Sequence, residues 1–306
     1  MDYSMQDLMA ILAMQGFAGL SFFSVLLLMA LGLAIIFGQM RVINMAHGEF
    51  MVLGAYTTYV VSEVMGGWGA WGAEYYILFA IPIAFLAAFL FGMLVEVLMI
   101  RHLYHRPLDT LLATWGLALI MQQVFRTVFG AREVSPDAPE WLDGSWRPTM
   151  LIDIPLNGLA IMVLALLVTL GVVLLMYRSR WGLRVRSTMA SREMSAAVGI
   201  NTRWVDRLTF ALGCGVAGIA GAAFTMISST GPTSGTLYIV DTFLVVVFGG
   251  AGSISGTVVS AFLIAQGQSI LEFFIGSSMG KVLTLSVIIG ILMLRPEGLF
   301  KSKVRR

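Results

Sequence analysis

Arg41, Asn44, His47 and Glu49 fall in one short stretch, QMRVINMAHGEF, with apolar runs of membrane length on both sides. An ionisable side chain at the centre of a membrane helix costs roughly 2.5–3.5 kcal/mol on insertion scales, so such groups face protein or a watery path rather than lipid. Their chemistry is that of hydrogen-bond donors and acceptors, suited to a passing polar solute or to an interrupted helix. If the chain from Gly48 to Met65 is helical, His47, Met51, Gly54 and Thr58 share one stripe, and Gly54 lets a second backbone come close. Residues 40–47 then read as a break in a membrane helix, with Asn44 placed to cap the N–H groups of the helix that follows. The competing reading is a short cytoplasmic turn whose polar residues are simply hydrated.

The elements that would position these groups are membrane helices. The 306-residue chain is 58% hydrophobic and only 12% charged, with a mean hydropathy of +0.88. Its many apolar runs of about 20 residues match a core of about 30 Å at about 1.5 Å rise per residue. The expected class is therefore all-α, a polytopic helical integral membrane protein, and the alternating pattern of barrel strands is absent. Segments can be drawn at 17–38, 48–65, 76–100, 110–130, 156–177, 208–228, 237–250, 254–275 and 282–294, giving eight or nine crossings in one transmembrane domain spanning 1–306. The N-terminal MDYSMQDLMAILAM lacks a basic n-region, so the first segment is expected to be retained rather than cleaved as a signal peptide.

Two further interruptions, Gly231–Gly235 and Gly249–Gly256, leave the segment between them too short to span alone, and that segment carries Asp241. Segments one to four and six to nine then form inverted halves joined by segment five. Gly-broken segments in corresponding places of two inverted halves point to a midplane substrate site. The pathway candidates are accordingly Asn44, His47, Glu49, Thr58, Asp241, Gly249 and Gly250, with Thr57 as a further hydroxyl. Glu96 and Glu272 read as buried acids that hydrogen-bond neighbouring helices.

Placing the N-terminus outside puts all but four of the nineteen Lys and Arg residues inside, the exceptions being Arg126, Arg132, Arg147 and Lys281. The C-terminal KSKVRR then also lies inside. The outer connection 131–155 is acidic and rich in proline, and carries Trp141 and Trp146. It reads as a solvated loop or as a docking surface for an extracytoplasmic partner. The inner connection 178–207 holds a short amphipathic helix: Ser191 starts it, Arg192 and Glu193 follow, Met194, Ala197 and Val198 repeat on one face, and Gly199 ends it. That face suits a partner protein, whereas the arginines around it suit anionic membrane lipid. With a net charge of +2 and its cations at membrane borders, no nucleic-acid partner is expected.

No engine is visible. Gly276, Gly280 and Lys281 have the wrong spacing for a Walker motif and no Ser or Thr follows the lysine. His47, His102 and His105 make no metal set, no Ser or Cys is paired with His and Asp, and Cys214 sits in a small-residue run as a packing residue. No metal and no cofactor is expected.

The run from Gly38 to Glu49 followed by Leu53–Tyr56, the stretch Ala190–Asn201, and Phe248–Ser253 followed by Gly256 resemble, in order, three motifs of the permease subunits of branched-chain amino-acid ABC transporters. Within that family, Arg106–Gly116, Phe129–Arg132 and Pro139–Leu142 look most like the urea-transporter permeases. The resemblance implies a bacterial inner-membrane importer with two permease subunits, this chain being one, two cytoplasmic ATP-binding subunits that contact Ser191, Arg192, Glu193, Ala197 and Gly199, and an extracytoplasmic substrate-binding protein. It implies urea as cargo, with branched-chain amino acids as the alternative. A stand-alone channel or ion-coupled carrier using Glu49, Glu96 and Asp241 is the reading from another class. Gln39, Met40 and Arg41 depart from the family pattern, which implies smaller residues there.

Overall fold

The computed structural model describes residues 5–104, 106–149, 152–250, 252–295 and 298–300. Expectations resting on His105, Ala251 and the terminal KSKVRR lie outside the described residues.

The chain forms α1 (Met5–Met40), α2 (His47–Gly66), α3 (Ala70–Val95) with a π-helical turn (Glu96–Ile100) and α4 (Arg101–Leu103), α5 (Pro107–Phe129), a β1–β2 hairpin (Ser145–Thr149, Ile152–Pro155), α6 (Leu156–Arg178), α7 (Arg180–Ala190), α8 (Arg192–Ala197), α9 (Thr202–Phe224), α10 (Ser234–Gly249), α11 (Ile254–Ile275) and α12 (Ser277–Leu294). Each of the nine apolar segments read from the sequence corresponds to one helix. Among the described residues seven are long and apolar enough to cross a membrane, and the two that are not, α2 and α10, are those that follow the breaks. At 16 residues α10 is about 24 Å long, short of a hydrocarbon core of about 30 Å.

The two halves pack as inverted copies. Helices α1 and α9 run antiparallel, with Gly32 against Gly213 at the middle and Gln39 bonded to Asp206 at one end. Helix α3 lies along α9, where Gly92 meets Cys214 and Ala84 meets Gly218. Its counterpart α11 lies along α1, where Gly38 meets Gly252 and Gly19 meets Gln266. Likewise α2 packs on α9 and α10 on α1, while α5 and α12 sit at the outside of the two halves and α6 connects them. With no hydrophobic drive between helices in lipid, close backbone approach supplies the cohesion. Gly54 shows it: a methyl there would collide with the backbone of Gly218.

Two departures from the sequence reading concern the ends. The basic connection is mostly helical, since α7 and the first turns of α9 occupy stretches expected to be loop. At the opposite end, residues 131–149 and 152–155 are a fastened cap rather than a loose loop. Val134 pairs with Thr230, Trp141 Nε1 donates to the Glu74 carbonyl at 2.8 Å, and Leu142 is buried with Met65 and Tyr76.

Candidate functional site

The first break begins at Arg41, whose φ of 52° ends α1 in a left-handed turn. The chain folds back beside Met29 and Gly32 before α2 starts. Asn44 Oδ1 accepts from the Ala46 amide at 3.1 Å, and Ala46, the residue before α2, makes no side-chain cap. Asn44 thus closes the turn leading into the helix, a correction to its expected role of capping the helix itself. The Met45 amide donates to Thr114 Oγ1 at 3.1 Å, tying the break to α5. His47 is fully enclosed, with Nε2 3.1 Å from the Met29 carbonyl. A carbonyl only accepts, so the ring carries its proton on Nε2, leaving Nδ1 without a partner.

The second break mirrors the first. The Gly231 amide donates to Ser234 Oγ at 2.9 Å, and α10 begins against the start of α2, where a methyl on Gly235 would meet the Gly48 carbonyl carbon and oxygen at 2.6 Å. The first turns of α2 and α10 therefore lie against one another, which brings the positive ends of two helix dipoles close together.

Glu49 stands in the first turn of α2. Its Oε1 accepts from Gln122 Nε2 of α5 at 2.8 Å, and the same nitrogen reaches Thr236 Oγ1 of α10 at 3.0 Å. The carboxylate is buried and Oε2 has no partner, whereas Gln122 is half-buried and Thr236 exposed. The junction is thus a polar group that begins inside the chain and opens onto its surface. Nearby, Asp241 Oδ2 is 2.8 Å from Lys281 Nζ of α12, which also reaches the Leu237 carbonyl at 3.2 Å. Lys281, counted from the sequence among the cations of the outer side, thus reaches from the first turns of α12 to a carboxylate of α10.

Of the pathway candidates, Glu49 and Asp241 stand at or beside this face, and Asn44 and His47 lie behind it. Thr58 bonds its own helix at the Gly54 carbonyl, 2.9 Å away. Gly249 and Gly250 are at the far end of α10, against Gly256 and the Phe300 carbonyl. Gln122, Thr236, Lys281 and Thr114 were not singled out. The Gln122–Gln123 pair inside an apolar helix was a readable signal, while Lys281 was weighed only as an outer cation and against a nucleotide motif.

Glu96, as expected, bonds neighbouring elements, accepting from Tyr104 at 2.9 Å and Arg207 at 3.2 Å. Glu272 instead accepts from Gln268 of its own helix at 2.8 Å. The amphipathic helix forms as α8. Ser191 caps it, Gly199 with φ of 86° ends it, and Glu193, Met194, Ala197 and Val198 are exposed, Val198 at 75%.

A family model described as branched-chain amino acid transport system, permease component, matches residues 16–294. The high-affinity branched-chain amino acid transport system permease protein LivH of Escherichia coli K12 is 23% identical over 291 residues, covering 93% of this chain and 94% of that one. BraD of Pseudomonas aeruginosa, named for the same kind of system, is 26% identical over 298 residues, covering 92% and 93%. A probable branched-chain amino acid transport permease of Methanocaldococcus jannaschii is 23% identical over 294 residues, covering 90% and 88%. No solved structure matches the chain significantly.

Proposed function

Because the chain belongs to the family of branched-chain amino acid transport permeases, we propose that it is one permease subunit of an ATP-driven, binding-protein-dependent importer in a bacterial inner membrane, and that its cargo is urea or a short amide. The observation that carries the cargo is the Glu49–Gln122–Thr236 group, an array of carboxylate, amide and hydroxyl open to the surface of the chain. Urea is neutral, with several donors and acceptors and little apolar surface, and needs such an array rather than a pair of opposite charges. The path runs along this face, with Asn44 and His47 as its buried support, Thr58 behind them, and Asp241, Gly249 and Gly250 along α10. The residues Arg106–Gly116, which look like those of urea permeases, support the same reading.

In this arrangement the end bearing α7 and α8 faces the cytoplasm, the N-terminus lies outside, and the exposed face of α8 meets the ATP-binding subunits. A second permease subunit covers the α5 and α12 side, and the cap of residues 131–149 and 152–155 faces the binding protein. A second reading, branched-chain amino acid import, is favoured by the relatives' names and by the Asp241–Lys281 pair, whose two charges could answer the ammonium and carboxylate of a zwitterion. Uptake of labelled urea and labelled leucine at micromolar concentration, in cells with and without this chain, separates them. Loss of urea uptake alone is expected; loss of leucine uptake with urea uptake intact would replace the first reading by the second.

A further inference from the structure

The first residue of α8, Arg192, leaves the helix's exposed face and turns inward to the carboxylate of Asp206 on α9, which is 1% exposed. The other oxygen of Asp206 accepts from Gln39 Nε2 of α1 at 3.1 Å. Arg192 also lies over the Tyr104 ring, 5.4 Å from its centroid, and Tyr104 donates to Glu96 at 2.9 Å. Glu96, buried in the π-helical turn after α3, takes Arg207 Nε of α9 on its second oxygen at 3.2 Å. Burial and the neighbouring Glu96 carboxylate push the Tyr104 phenol up, so it remains a donor throughout the physiological range. Two buried carboxylates thus join the ends of α1, α3 and α9 to the short helix, which also packs on α7 and α9 through the buried Ser195.

What this cluster holds is the start of the first break. Two residues beyond Gln39, Arg41 adopts its left-handed conformation, a state that costs on the order of 1–3 kcal/mol and persists only where its surroundings impose it. A cavity of about 560 Å³ lined by Glu96, Arg101, Tyr104, Arg192, Arg203 and Asp206 leaves space beside the cluster for α8 to move. Asp206 and Glu96 are buried while Arg192 keeps part of its side chain in solvent, so the charge left without a partner on breaking either contact would be the carboxylate.

We propose that Asp206, Glu96 and Gln39 are positioning residues of the transport cycle, a clasp that passes displacement of α8 to the break after Met40 and so to the polar junction behind it. This rests on the reading of α8 as the helix that meets the ATP-binding subunits. Gln39 is the sensitive position, since its only role in the clasp is one hydrogen bond.

The test uses the assembled transporter in proteoliposomes and reads the ATP hydrolysed per molecule of cargo delivered, the cargo being whichever of urea and leucine the uptake comparison assigns. A purely structural role lowers hydrolysis and uptake together and leaves this ratio unchanged. Gln39→Met, which keeps side-chain size, and Asp206→Asn are each expected to raise the ratio about tenfold, equivalent to roughly 1.4 kcal/mol of lost coupling, while Asp206→Glu restores most of it. In parallel, Met194→Cys is cross-linked to the ATP-binding subunits. A cross-link with an unchanged ratio in both variants overturns the clasp, and absence of the cross-link overturns the reading of α8 on which it stands.

Discussion

Lys281→Met isolates the one ion pair that joins α10 to α12. Asp241 is 2% exposed and Oδ1 already lacks a partner, so Lys281, 2.8 Å from Oδ2, is the group that makes its charge tolerable. Breaking a buried pair by removing one member costs about 3–5 kcal/mol. The Lys281 side chain is 35% exposed, and water reaching it places the loss near the lower limit, about 3 kcal/mol, or roughly a hundredfold in the ratio of folded to unfolded protein. Combining Lys281→Met with Asp241→Asn removes both charges and should recover all but about 1 kcal/mol, because an ion pair replaced whole by neutral groups is close to neutral in stability. The assay is the fraction of detergent-solubilised protein that stays monodisperse after graded heating, read by fluorescence-detected size exclusion for parent, both single variants and the double. A Lys281→Met protein as heat-resistant as the parent, or a double variant worse than Lys281→Met alone, would refute the reasoning.

Gly54→Leu should drive α2 off α9 and remove the protein from the membrane, and Gly54→Ala should cost about 1–3 kcal/mol of stability, both checked by immunoblot of membrane fractions. Ala197→Arg, a bulky cation on the exposed face of α8, should leave membrane abundance unchanged while lowering co-purification of the ATP-binding subunits and uptake; normal association would assign that face to lipid. With Cys214→Ala as background, Ser187→Cys should react with an impermeant thiol reagent only in inverted vesicles and Ser145→Cys only in intact cells, and the reverse pattern would invert the orientation.

The membrane helices were legible because bilayer thickness writes itself into segment length, and the breaks were legible because Gly231–Gly235 and Arg41–Asn44 interrupt apolar runs. The inverted relation followed from the opposite directions of the first and sixth segments and the similar places of the breaks, with no residue-level identity between halves. What could not be read was pairing across the chain. Nothing in the apolar helix around Gln122 says that it faces Glu49, 73 positions earlier, and Thr236. Lys281 was placed at a border because cations belong there; its long stem lets it reach back to Asp241 from the first turns of α12. The helical state of Arg180–Ala190 was obscured by its charge, which marks solvent exposure without choosing between helix and loop. The cap made by residues 131–149 and 152–155 is held by pairing with Thr230 and the Glu74 carbonyl, contacts that leave no periodic trace.

The central claim is that the junction of α2 and α10 faces the transported solute, and Thr236 is its exposed member. In the assembled transporter carrying Thr236→Cys and Cys214→Ala, the rate of modification by a small impermeant methanethiosulfonate reagent, measured with and without saturating urea, tests it most directly. The account predicts modification that urea slows severalfold and that changes with the nucleotide state of the ATP-binding subunits. Modification indifferent to urea and nucleotide, or reaction only with apolar maleimides, would place Thr236 away from the path and contradict the account.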